Sequence, residues 1–92
     1  MGLINTEPYQ FDISDAVFTD TYINVVSYSV HRNETRYRVN FCYAIYMSYA
    51  DRLNSKREIQ SINSSIDLET YSEPITAIYN ELRLRFPNTI DN

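Results

Sequence analysis

The chain has 92 residues, room for a single domain near the small end of what folds around its own core. Hydrophobic residues make up 43% and charged residues 22%, an ordinary globular balance rather than that of a disordered tail. The net charge of -4 argues against duplex nucleic acid as a general partner, because displacing phosphate counterions takes excess positive charge.

Residues 1–10 show no hydrophobic period and read as an extended arm, with Leu3 and Ile4 able to dock on a neighbour. The segment 1–10 also lacks a basic stretch followed by a long apolar run. No run anywhere approaches the roughly eighteen apolar residues of a membrane span. The expectation is neither export by signal peptide nor membrane insertion, with synthesis in the cytosol. Residues 11–92 then read as one α+β domain.

Phe11 to Phe18 is ambiguous between a short strand and a loop, since Phe11 and Ile13 alternate while Val17 and Phe18 are adjacent. From Thr21 to Val30 the β-branched and aromatic residues Tyr22, Ile23, Val25, Val26, Tyr28 and Val30 predict the first strand of a central hairpin. Arg32, Asn33 and Glu34 supply the polar break of the connection. In the second strand Tyr37, Val39, Phe41, Tyr43, Ile45, Met47 and Tyr49 occupy every second position, opposite a largely polar face. Tyr46 interrupts that polar face and is a contact candidate.

Asp51 to Glu58 is polar and should cross the surface. A third strand follows, with Ile62, Ser64, Ile66 and Leu68 on one face and Ile59 out of register. Ile75, Ile78, Tyr79, Leu82 and Phe86 recur at helical spacing and predict a C-terminal helix. Ser72 can cap it, Glu73 complements its dipole, Pro74 fits its first turn and Pro87 stops it. The fold class is therefore α+β: a small antiparallel sheet, made of a long hairpin plus a third strand, packed against one C-terminal helix.

Motifs with a specific chemistry are missing, and the chain reads as a non-enzyme without cofactor or metal. His31 lies at a hairpin end with no sequence-placed partner for metal binding or base catalysis. Cys42 reads either as a reactive thiol or as a small packed residue, and as the only cysteine it cannot form an internal disulfide. Asp12, Asp15 and Asp20 lack the alternating ligands and turn glycine of a calcium loop. No two carboxylates are placed by period in one cleft, and with Gly2 the sole glycine there is no Gly-rich phosphate cradle.

Arg32, Arg36 and Arg38, interleaved with tyrosines, could hold single-stranded nucleic acid by charge and stacking. Their alternation with apolar positions fits a solvated strand face better, as does the acidic net charge. Nine tyrosines suit protein interfaces or carbohydrate platforms, being large side chains with few rotamers and a polar tip. Tyr37, Tyr43, Tyr49 and Tyr79 fall on core faces, leaving Tyr9, Tyr46 and Tyr71 as surface candidates. An aromatic sheet face binding a glycan or a single strand is the alternative to protein contacts.

The segments TDTYINVVSYSVHRNETRYRVNFCYAIYMS, REIQSINSSIDL and EPITAIYNELRLRF together resemble the short accessory proteins of tailed bacteriophages, over about residues 15–86. The likeness is one of plan: opening strand, long hairpin, polar turn, third strand and terminal helix. It implies a structural or assembly component of the head, neck, tail or baseplate, synthesised in the host cytoplasm and present in the virion in several symmetric copies. Its partners would be other virion or assembly proteins and further copies of itself. The resemblance carries over no functional residues, and the arm at 1–10 departs from the shortest such proteins.

Overall fold

The computed structural model describes residues 2–10, 17–54 and 57–91. In chain order these form β1 (Leu3–Asn5), β2 (Tyr9–Gln10), β3 (Val17–Phe18), β4 (Thr21–Asn33), β5 (Arg36–Tyr46), α1 (Tyr49–Leu53), β6 (Gln60–Leu68), α2 (Pro74–Arg85) and β7 (Thr89–Asp91). Five strands make one sheet in the order β6-β5-β4-β1-β7, and β2 pairs with β3 in a separate ribbon. Every pairing is antiparallel. The fold is α+β, with a helix packed on the sheet, as the alternating and helical periods predict.

The hairpin β4–β5 is the frame of the molecule. Its β-branched and aromatic residues favour a pleated surface, and Glu34, at φ 55°, turns the chain back between the strands. The turn lies one residue later than the polar break at Arg32 to Glu34 suggests, because Asn33 still pairs with Arg36. The register shifts between Val25 and Ser27, so one extra residue, Val26, stands out on β4. Before this bulge Ile23 and Val25 oppose Ile45 and Tyr43; after it Tyr28, Val30 and Arg32 oppose Phe41, Val39 and Tyr37. Opposed residues share a face, so the bulge changes which β4 positions point to the core.

That core lies between the sheet and α2. Leu3, Ile23, Val39, Phe41, Tyr43 and Ile45 of the sheet meet Ile78, Tyr79 and Leu82 of the helix, all fully or almost fully buried. The backbone N–H of Val25 donates to the Tyr79 hydroxyl at 3.2 Å, tying the helix to the hairpin beside the bulge. Burial pushes the Tyr79 phenol above its ordinary pKa, against the smaller opposing effects of that bond and of Arg83.

Glu73, rather than Ser72, caps α2. Its carboxylate accepts from the backbone N–H groups of Ile75 and Thr76, at 3.2 and 2.7 Å, and from the Thr76 hydroxyl at 2.8 Å. The Thr76 bonds, backbone first, hold the Glu73 carboxyl below its usual range. Pro74 occupies the first turn, where its missing N–H costs nothing, and Arg85 is the last helical residue before Phe86 and Pro87.

Several expectations are corrected. Leu3–Asn5 forms a strand between β4 and β7, so Leu3, fully buried, is a core residue and not part of a free arm. The alternation that places Met47 and Tyr49 on the core face breaks off at Tyr46. Both are exposed, and Tyr49 opens the short helix α1, which continues into the polar stretch from Asp51 expected to cross the surface. β7 has no counterpart in the sequence reading. Of the ambiguous segment, Val17–Phe18 is a strand, while Phe11, Asp12, Ile13 and Asp15 lie outside the described residues.

Candidate interaction surface

The sheet has two edges with different protection. β7 is three residues long and is held from behind: Arg83 of α2 reaches Asp91 at 2.8 and 3.2 Å, and Thr6 binds the Asn88 carbonyl through both its N–H and its hydroxyl. β6 is nine residues long, pairs with β5 without any register shift, and has no strand on its other side among the described residues. An antiparallel strand turns alternate backbone N–H and C=O groups away from its neighbour, so β6 presents a row of them outward.

β6 contains no proline, lysine or arginine, and its single charge is Asp67. Arg38 of β5 donates to that carboxylate at 3.0 Å across the open face. The bond and the paired charge hold Asp67 below the usual carboxylate range and raise Arg38. Asp67 therefore sits over its own sheet rather than standing as a guard charge on the edge.

Beside the edge runs a groove of about 620 Å³ between β6 and α2, with Ile66, Leu68, Ala77 and Leu84 among its apolar walls. Leu84 is 78% exposed, the most exposed of the large hydrophobic side chains described. The helix turns it away from the sheet, since Ile78, Tyr79 and Leu82 already fill the core-facing stripe. Thr76, Asn80, Glu81 and Arg85 complete a polar rim.

The face opposite α2 differs in character. A shallow depression of about 550 Å³ is lined mainly by the short polar residues Ser27, Ser29, Asn40, Asn63 and Ser65, with Cys42, Tyr28 and Phe41 also bordering it. Cys42 lies 3.3 Å from the Ser61 hydroxyl. Towards β1 this face is closed by α1, where Tyr22 packs against Tyr46 and Tyr49. The aromatic residues of β5 thus lie mainly beneath α2, and the open face is hydroxyl- and amide-lined.

The candidate contact residues are dispersed. Tyr9, half-buried, donates to the Gln60 side chain. Ile4 is half-buried in β1, and Tyr46 lies under Arg52, whose guanidinium stands 5.8 Å from its ring centre. Arg32 lies over Tyr37 at 6.0 Å, on the α2 side of the hairpin, whereas Arg36 and Arg38 belong to the other face. The three arginines form no single patch. Tyr71, 63% exposed, touches Tyr37 edge-on near the same hairpin end.

His31 meets the Ser29 hydroxyl at 3.1 Å and lines a small hollow of about 260 Å³ with Arg36, Tyr37, Arg38 and Asp67. Among the described residues no three His, Cys, Asp or Glu side chains come together as metal ligands, and no helix is long and apolar enough to cross a membrane. The sequence reading passed over Leu84 and the β6 edge as a site. The position of Leu84, two residues after Leu82 and off the apolar stripe, was the available signal. No protein family, curated protein or solved structure matches the chain.

Proposed function

We propose that this chain is an assembly module that works through protein–protein contacts, as a structural component of a tailed-phage virion. The observation that carries the contact reading is the β6 edge: a regular strand with no further strand beside it among the described residues, next to a groove with Leu84 in its wall. Proteins that do not use such an edge blunt it with charge, proline, a bulge or a covering segment. Strand addition to an open edge draws its affinity from backbone hydrogen bonds and its selectivity from the side chains beside it. The particle itself rests on the plan-level resemblance to tailed-phage accessory proteins.

Quantitative mass spectrometry of purified particles, from cells producing the chain, tests this reading. Retention in fixed stoichiometry through density-gradient purification is the expected result. A chain that stays monomeric and is lost from the particles overturns it.

A further inference from the structure

We infer that β6 pairs antiparallel with β6 of a second copy of this chain, about a two-fold axis at Ser64, so that two five-stranded sheets become one of ten strands. This names the partner for the open edge and rests on the assembly reading above.

The first observation is the strand's own symmetry. About Ser64, Ile62 and Ile66 are equidistant, as are Asn63 and Ser65, and Ser61 and Asp67. In an antiparallel pair centred there, Ile62 of each copy lies opposite Ile66 of the other, and both pairs fall on the α2 side. Asn63 then faces Ser65 on the open side, amide against hydroxyl. Cross-strand pairs are the unit of sheet stabilisation, and β-branched side chains pack well on a pleated surface. A slip of one residue would set each isoleucine opposite a side chain of different character, so the pattern selects one register.

The second observation is the groove. An added strand lies about 4.8 Å from β6, along the space that Leu84 and Ile66 border. Ile62 of the second copy, opposite Ile66, then borders the groove whose wall includes Leu84. The two-fold repeats this arrangement at the other end, as an isologous interface requires.

Charge permits the pairing. Each Asp67 faces Ser61 of the other copy, and the two carboxylates lie about 20 Å apart, six residues at about 3.3 Å each. Each is also paired with its own Arg38. Both copies carry a net charge of -4, so added salt should tighten the dimer by screening their repulsion.

Disulfide trapping tests the register. In a Cys42→Ser background, Ser64→Cys places two thiols on the axis, with Cα atoms about 4.5–5.5 Å apart, inside the disulfide range. Ser61→Cys, in the same background, places its thiols about 20 Å apart. Under mild oxidation Ser64→Cys should form covalent dimer at least roughly 10-fold faster than Ser61→Cys. Sedimentation of the wild-type chain should show a concentration-dependent monomer–dimer equilibrium. Ser64→Asp, with its circular dichroism unchanged, should weaken that equilibrium roughly 10-fold or more by setting like charges face to face.

Equal trapping of the two cysteine variants overturns the register. A wild-type chain that is monomeric throughout, yet retained in purified particles, overturns the second-copy partner and leaves the assembly reading standing. A monomer absent from the particles removes both.

Discussion

The two edges of the sheet are built from the same kind of strand and are treated in opposite ways. β7 is short, its Asp91 clamped by Arg83 of α2 and its approach fixed by Thr6 on the Asn88 carbonyl. β6 is three times as long and regular, has no outer strand among the described residues, and has a leucine-walled groove alongside. The difference separates two tasks: residues behind β7 hold the domain together, and residues beside β6 are available to something else.

Substitutions can break or sharpen that division, and the largest effect belongs to the β7 side. Leu3 is fully buried in β1, the strand that joins β7 to the hairpin. Leu3→Ala should cost about 2–5 kcal/mol of unfolding free energy in urea titration, the usual range for a buried leucine. A loss under about 1 kcal/mol would show that β1 and β7 are peripheral to stability.

Gly2 comes next. A Cβ there would run into the ring and hydroxyl of Tyr22, which is itself packed against Tyr46 and Tyr49. Gly2→Ala should destabilise by about 1–3 kcal/mol, the usual cost of overpacking, and should perturb the tyrosine near-UV circular dichroism.

Glu73 gives a pH-dependent effect. Its carboxyl is depressed in the folded chain, chiefly by the Thr76 bonds. Such a group adds stability that is complete above the unfolded glutamate value, about 4.3, and is lost as the pH falls through the lower folded value. Glu73→Gln should therefore melt a few degrees below wild type at neutral pH, with the gap closing below about pH 4.3. A gap constant down to pH 2 would remove the charged cap from the account.

Arg83→Ala, which releases Asp91, should cost no more than about 1 kcal/mol, since the pair is partly exposed. Leu84→Ser should be the smallest of all in stability, within about 0.5 kcal/mol, yet should weaken self-association in sedimentation. Were Leu84→Ser to destabilise the monomer instead, the groove would belong to the core.

The sequence was most legible where one period governed a whole element. The Tyr37 to Ile45 alternation placed β5, and Ile75, Ile78, Tyr79 and Leu82 placed α2 on its correct face. It was least legible where pairing, not pattern, makes a strand. Leu3–Asn5 and Thr89–Asp91 are too short to show a period: β1 is a strand because it lies between β4 and β7, and β7 because it lies beside β1. The bulge at Val26 was hidden for a related reason, since Val25 and Val26 are equally good strand formers and only the partner's register tells them apart. The open edge was not located, because an edge is defined by the strand order of the finished sheet.

The β1–β7 pairing also bears on how the domain assembles. Thr6 and Asn88 meet across 82 positions of chain, whereas β4, β5 and β6 follow one another as a simple meander. Closing a long loop carries an entropic cost before any contact compensates for it. The meander is thus the natural first structure, and the seam that joins the two chain ends is the last to close. Until it does, β1 is an edge as well, and the half-built sheet is open on both sides.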